Sequence, residues 1–230
     1  MAEALQQLLI IDTETTGLDS RQDQLCEVGA ILFSIPQRSP LLSLALLLPV
    51  ASNGAEAINH IPPALTQEPL PQAEALALFL ALVRQADAYV AHNAAFDRDW
   101  IEALLPFELQ GSRPWLCSCE DMHWQGLRPQ PSLQTLALAH GVPVWACHRA
   151  LHDCQYLAQV LERDPDLEEH LQQALEPRTL VVADIPYQRR EDAKEAGFRW
   201  WPQEKQWRRR CSAAEVAALP FPVTPVAEGG

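Results

Sequence analysis

The stretch Leu8–Leu18, LLIIDTETTGL, decides how the rest of the chain is read. A short apolar run delivers Asp12 and Glu14, at i, i+2 spacing, to the end of a strand whose alternation turns both carboxylates to one face. Two like charges this close repel and destabilise the fold unless a divalent cation sits between them. The pair is either half of a metal site or a solvated strand edge, and the later chain decides between the two.

Two further stretches decide it. Tyr89–Trp100, YVAHNAAFDRDW, runs a small strand into a helix with Asp97 near its first turn, and Cys147–Cys154, CHRALHDC, sets His148 five residues before Asp153. Taken together the three motifs resemble, in order, those of the DEDDh 3′ to 5′ exonucleases, the family of the proofreading epsilon subunit, ribonuclease T, oligoribonuclease and exonuclease X. The family's Asp-x-Glu falls on Asp12 and Glu14, its Asn-bearing second motif on Asn93 and Asp97, and its His-x4-Asp on His148 and Asp153. The resemblance covers residues 6 to 163. It implies the α/β, ribonuclease H-like fold, a mixed central sheet flanked by helices. Strands first, then helices alternating with short strands, agree with that layout but do not by themselves separate it from other three-layer α/β folds. Among these elements, the Trp115–Cys117 strand is expected to lead into a helix ending near Trp124, and Ser132 to cap the helix LQTLALAH that Gly141 ends.

The same resemblance implies the chemistry. Two Mg²⁺ or Mn²⁺ ions are expected, Asp12 bridging both, Glu14 and Asp153 holding the ion that carries the attacking water, and Asp97 serving the second; these hard oxygen ligands suit such ions better than zinc. His148 is expected to act as general base, since histidine ordinarily titrates near pH 6.5. His152 competes because it adjoins Asp153, but the motif spacing selects His148. Thr15, Thr16 and Leu18 follow the first motif, where relatives bind or wedge the terminal nucleotide. Asn93 and Phe96 are candidates for shaping the same pocket, Phe96 being equally readable as core.

The 230 residues suffice for one α/β domain and a small addition, and the 48% hydrophobic content suffices for a core. No apolar run approaches the ~20 residues of a membrane span, and the start lacks the basic character of a secretory signal, so a cytoplasmic protein is expected. The six cysteines read as reduced thiols. A rival zinc reading of Cys117, Cys119, His123, Cys147, His148, His152 and Cys154 matches none of the usual knuckle spacings.

The net charge of −13 argues against indiscriminate capture of duplex nucleic acid. The charge is uneven: residues 178 to 210 hold nine Lys or Arg against five Asp or Glu, a local +4, which leaves −17 for everything else. The sequence divides into an exonuclease-like domain over 1–163, a linker or terminal helix over 164–177, a small basic, Trp-rich α+β module over 178–212, and a tail over 213–230, expected to be loose from Leu219 on, where it holds three prolines. The module resembles one found beside primases and topoisomerases of mobile elements, through Ala193, Lys194, Gly197, Trp200, Lys205 and Trp207. Its Trp200, Trp201, Trp207 and Arg208 are candidate nucleic-acid contacts, set against the alternative that so small a domain needs its rings as core.

The reading that follows is a metal-dependent 3′ to 5′ exonuclease, a phosphodiester hydrolase acting on single-stranded or frayed 3′ ends, DNA first. The alternatives are an RNA 3′-end trimmer, because sensing a 2′-hydroxyl depends on pocket shape, and a proofreading subunit bound to a polymerase or repair complex. A catalytically dead binding module is disfavoured because all five expected residues are present. A homodimer is plausible by resemblance to several relatives.

Overall fold

In the computed structural model, residues 5–105 and 113–226 are described. They form two compact units, one of residues 5–105, 113–119 and 132–167, the other of residues 120–131 and 168–226.

The first unit opens with three strands, β1 (Gln7–Thr15), β2 (Leu25–Ser34) and β3 (Ser39–Leu47). After two short helical turns, α1 (Glu56–Asn59) and α2 (Pro63–Thr66), come α3 (Gln72–Gln85), β4 (Ala88–Ala91), α4 (Ala94–Leu104), β5 (Trp115–Cys117), α5 (Leu133–Ala139) and α6 (Ala150–Arg163). The five strands form one sheet in the order β3-β2-β1-β4-β5, antiparallel from β3 to β1 and parallel from β1 to β5. Because β1 and β2 are covered on both faces, they read as near-continuous apolar runs with Leu8 to Ile11 and Ala30 to Phe33 buried. The edge strand β3 instead alternates between exposed and half-buried positions.

Helix α6 lies against β2 at a distance only glycine permits. A Cβ on Gly29 would stand 2.4 Å from the carbonyl carbon of Ala150, the first residue of α6. Since Gly29 pairs with Asp12 across the β1/β2 ladder, this close approach seats the start of α6 beside the first carboxylate. Ser132 caps α5 by accepting from the Thr135 amide, and Gly141 with φ 68° follows its end, as the sequence predicts.

The second unit contains α7 (Leu167–Ala174, whose first residue belongs to the first unit), β6 (Arg178–Ala183), α8 (Arg190–Glu195), β7 (Arg199–Trp201), β8 (Gln206–Ser212), α9 (Ala213–Ala218) and β9 (Val223–Pro225). Its antiparallel sheet runs β7-β8-β6-β9 over a core of Val181, Ala193, Phe198, Cys211 and Phe221. The 164–177 segment holds a helix, one of the two forms the sequence allows. Two expectations change here. The helix expected to end near Trp124 is a set of turns, because tertiary contacts fix that stretch otherwise: Arg178 binds the Asp121 carboxylate at 3.0 Å, and the rings of Trp124 and His170 lie 4.6 Å apart. The tail is instead part of the module as far as residue 226, residues 227–230 lying outside the described ones: Ser212 and Glu215 form a capping box for α9, Phe221 packs on Phe198 at 5.5 Å, and β9 pairs with β6. As an edge strand β9 tolerates the prolines that argue against structure in the sequence. No helix among the described residues is long and apolar enough to cross a membrane.

Candidate active site

The carboxylates expected from the three motifs converge. Asp12 and Glu14 stand at the C-terminal end of the central strand β1, Asp97 in the first turn of α4, and Asp153 in the first turn of α6. All four line one cavity of about 630 Å³, together with Thr15, Thr16, Leu18, Asn93, Phe96 and His148. The cavity opens where parallel strands β1 and β4 end, the place at which α/β sheets commonly bind ligands.

Each side chain is held by its neighbours. Thr13, between Asp12 and Glu14 on β1, donates its hydroxyl to Asp97 Oδ1 at 2.8 Å. Asp153 Oδ2 accepts the His148 amide at 3.1 Å, while its buried Oδ1 has no hydrogen-bond partner among the described residues. Ligand atoms of Glu14, His148 and Asp153 all lie within 4.8 Å of one another. His148 is exposed and takes a left-handed backbone with φ 60°, so its imidazole projects from a loop while its amide is anchored to the carboxylate. His152 turns away from the cavity and packs edge-on to Trp145, ring centroids 6.4 Å apart.

Around the nucleotide-end candidates the roles divide. The Thr15 hydroxyl donates to the Gly17 carbonyl at 2.6 Å and Thr16 Oγ1 accepts the Gln24 amide at 2.9 Å, so both shape the loop after β1. Leu18 is 87% exposed at the cavity rim, and Phe96 is half-buried against Trp100 at 6.1 Å. Asn93 precedes α4 in the left-handed region, φ 88°, with its side chain exposed.

Sequence reasoning missed four residues. Glu27 lies directly opposite Glu14 in the β1/β2 register and is 1% exposed. It accepts from Arg149 Nη2 at 2.7 Å, from Arg149 Nε at 3.0 and 3.3 Å, and from the Ala150 amide at 2.9 Å. A carboxylate on the first amide of α6 is well placed for the helix dipole, and it fixes the helix that carries Asp153. The signals available were a lone Glu inside the apolar run LCEVGAILF and an Arg beside His148. Buried Asn59 joins α1 to β1 by donating to the Thr15 carbonyl at 3.1 Å. Exposed Ile58 stands at the cavity rim beside Leu18, with no distinguishing pattern in the sequence.

Packing so many carboxyl groups together changes their acidity. Burial lifts Asp12 well above the ordinary carboxylate range, and the charges of Asp97, Asp153, Glu14 and Glu27 add to it. Glu14 is raised to about 8, by burial first and then by Asp153, Glu27 and Asp97. Burial raises Asp97 to about 7 against the opposing Thr13 hydrogen bonds. Asp153 is also raised by burial, opposed by the His148 amide. Clustered hard oxygens, an unpartnered buried oxygen and mutual repulsion are what a bound divalent cation relieves, so the residues present fit such an ion. The cysteines form no disulfide among the described residues, and Cys26 is pushed up to about 12 by burial. Among the described residues, the group of ligand atoms within reach of one ion is Glu14, His148 and Asp153, with no cysteine in it.

Comparison with known proteins gives the family and the fold. Residues 9–161 match a family described as Exonuclease, and residues 179–226 match a domain of unknown function. The DNA polymerase III epsilon subunit of Treponema pallidum is 32% identical over 155 residues, which cover 63% of this chain and 69% of that protein. The zinc-bound form of the E. coli exonuclease I complex with single-stranded DNA superposes with a TM-score of 0.55 at 18% identity, over 78% of this chain and 48% of that one. A 3′-exonuclease described in 3′-end-specific recognition of a histone mRNA stem-loop gives a TM-score of 0.55 at 12% identity, over 72% of this chain and 64% of that one. The chain thus spans about half the length of the exonuclease I it matches. The fold is that of the ribonuclease H-like exonucleases, with mixed sheet and flanking helices. The chain belongs to the exonuclease family, whose members hydrolyse phosphodiesters.

Proposed function

We propose that this protein is a 3′ to 5′ exonuclease that releases nucleoside monophosphates from single-stranded or frayed 3′ ends of DNA. The observation that carries the proposal is the convergence of Asp12, Glu14, Asp97 and Asp153 on one cavity, with Asp153 Oδ1 buried and unpartnered among the described residues. These four residues would hold two divalent ions, Mg²⁺ or Mn²⁺. When bound, such ions activate the phosphodiester as Lewis acids and stabilise the attacking and leaving oxygens. His148, exposed at the cavity wall, accepts the proton of the attacking water and must be neutral to do so. Leu18 and Ile58 present apolar side chains at the rim to grip the terminal base, and Asn93 and Phe96 line the wall that admits a chain end. The choice of DNA is supported by the polymerase III relative and by the DNA-bound exonuclease I. The relative equally supports association with a polymerase, which co-purification tests.

The direct test is a gel time course on 5′-labelled single-stranded DNA and matched RNA with Mg²⁺ or Mn²⁺, comparing the wild type with Asp12→Ala. A ladder shortening from the 3′ end, abolished by EDTA and by the substitution, is expected, with DNA the faster substrate. Faster RNA trimming would move the assignment to RNA, and the absence of metal-dependent cleavage of either polymer would refute the nuclease reading.

A further inference from the structure

The four residues singled out in the C-terminal module do not act together. Trp200 and Trp207 are partners across β7 and β8, with ring centroids 5.4 Å apart, and Trp207 packs on the module's core beneath Lys194, whose Nζ lies 5.9 Å from its ring. Strand alternation sends Trp201 and Arg208 to the other face. The Arg208 guanidinium lies 4.8 Å from the Trp201 ring centroid, and the Gln206 side chain, 2.7 and 2.9 Å away, and Glu204, 3.5 Å away, hold it there. That contact braces the indole, which remains 41% exposed.

Charge on the same face is concentrated in an unfavourable way. Arg199 stands directly opposite Arg208 in the β7/β8 register, and Arg210 follows two residues on along β8, about 6.8 Å away at the usual strand rise. Like charges opposed across an antiparallel pair destabilise it. Glu120, 3.5 Å from Arg199, and Glu204 offset part of the charge, and Arg210 donates to the Arg178 carbonyl at 3.1 Å. Arg199 nevertheless keeps a side chain 54% exposed, in a chain whose net charge is −13. A row of guanidinium groups beside an exposed, braced indole matches a strand of alternating phosphates and bases, whose phosphates relieve the repulsion while one base stacks on the ring.

We propose that the open face of the β7–β8 hairpin binds single-stranded nucleic acid, with a base on Trp201 and phosphates on Arg199 and Arg210, while Arg208, its side chain 12% exposed, braces the indole. Trp207 packs on the module's core, and Trp200, 46% exposed, stands against it on the opposite face. The choice of a single strand as occupant rests on the nuclease reading above, while the binding face itself does not depend on the catalytic residues.

The test is fluorescence anisotropy of the full chain in EDTA with labelled oligothymidylate and oligouridylate of equal length. Trp201→Ala should weaken binding about tenfold, within the range found for a single stacked base, and Trp201→Phe should restore most of it. Arg199→Ala with Arg210→Ala should reduce the slope of log affinity against log salt by about 1.4, about 0.7 for each lost phosphate contact on a single strand. Circular dichroism checks that each variant is folded. Binding by Trp201→Ala equal to wild type at every salt concentration would overturn the proposal, as would failure of the wild type to bind either oligonucleotide, which would turn attention to a protein partner. Hydrolysis of a chromogenic thymidine 5′-phosphate ester by the wild type separates the two readings. If the ester is cleaved and Trp201 has no effect on binding, the face is wrong and the nuclease stands; if Trp201-dependent binding occurs without ester cleavage, the converse holds.

Discussion

Glu14→Gln should make the metal-free protein more stable while abolishing its nuclease activity. Glu14 is raised from 4.5 to about 8 in the fold, chiefly by burial. For an acid whose folded pKa lies above its unfolded value, the stability present below about pH 4.5 is lost as pH rises towards 8. At pH 7 the unfolded chain ionises Glu14 freely and the folded chain does not. That difference, 2.5 pH units at about 1.36 kcal/mol each, costs about 3 kcal/mol. Glutamine matches the neutral form in shape and removes the cost. At roughly 2–4 °C per kcal/mol for a chain of this size, the substitution should raise the Tm in EDTA by on the order of 5–10 °C at pH 7–8 and by little at pH 5. Mg²⁺ should raise the Tm of the wild type more than that of the variant, because binding the ion and ionising Glu14 are linked. Differential scanning calorimetry at pH 5 and pH 8, with and without Mg²⁺, measures all four values. A Tm advantage that is absent, or the same at both pH values, would refute the account of a charge-strained site.

Three further outcomes are expected. His148→Ala should lower kcat by about 10²–10⁴, the usual contribution of a general base, with Mg²⁺ still raising the Tm; an unchanged kcat in single-turnover measurements would remove His148 from proton transfer. Gly29→Ala forces a Cβ to 2.4 Å from the backbone of Ala150, and should cost about 1–3 kcal/mol in urea unfolding and reduce activity by displacing Asp153; wild-type stability would show that α6 can move away freely. Arg149→Met leaves the Glu27 carboxylate buried without its guanidinium. Because the Arg149 side chain is 35% exposed, the loss should be about 2 kcal/mol, below the 3–5 typical of fully buried pairs, and Mg²⁺ affinity measured calorimetrically should fall with it.

Much of the catalytic unit was legible because its determinants are local. The apolar runs of β1 and β2, the Asp12–Glu14 spacing and the Ser132 and Gly141 boundaries of α5 are written in adjacent residues. The convergence of Asp97 and Asp153 on that pair came from motif order, which stands in for long-range information that periodicity lacks. What stayed hidden depends on contacts between distant residues. Glu27 reads as an anomaly in an apolar strand until Arg149 and Ala150 are placed beside it. The turns around Trp124 read as a helix until Arg178 and His170 fix them. The prolines after Leu219 read as a loose tail until β9 is seen to occupy a sheet edge, where a missing amide costs little.

The bond between Glu27 and the Ala150 amide joins residues 123 positions apart, and the fourth carboxylate lies just beyond it. During synthesis, the first two carboxylates leave the ribosome long before the segment that completes their site. A growing chain therefore carries Asp12 and Glu14 without Asp153, and it can assemble the full cluster only after α6 has emerged and closed over Gly29. Cutting power arises as one late event in translation, so unfinished chains near messenger RNA and other nucleic acids lack the complete catalytic centre.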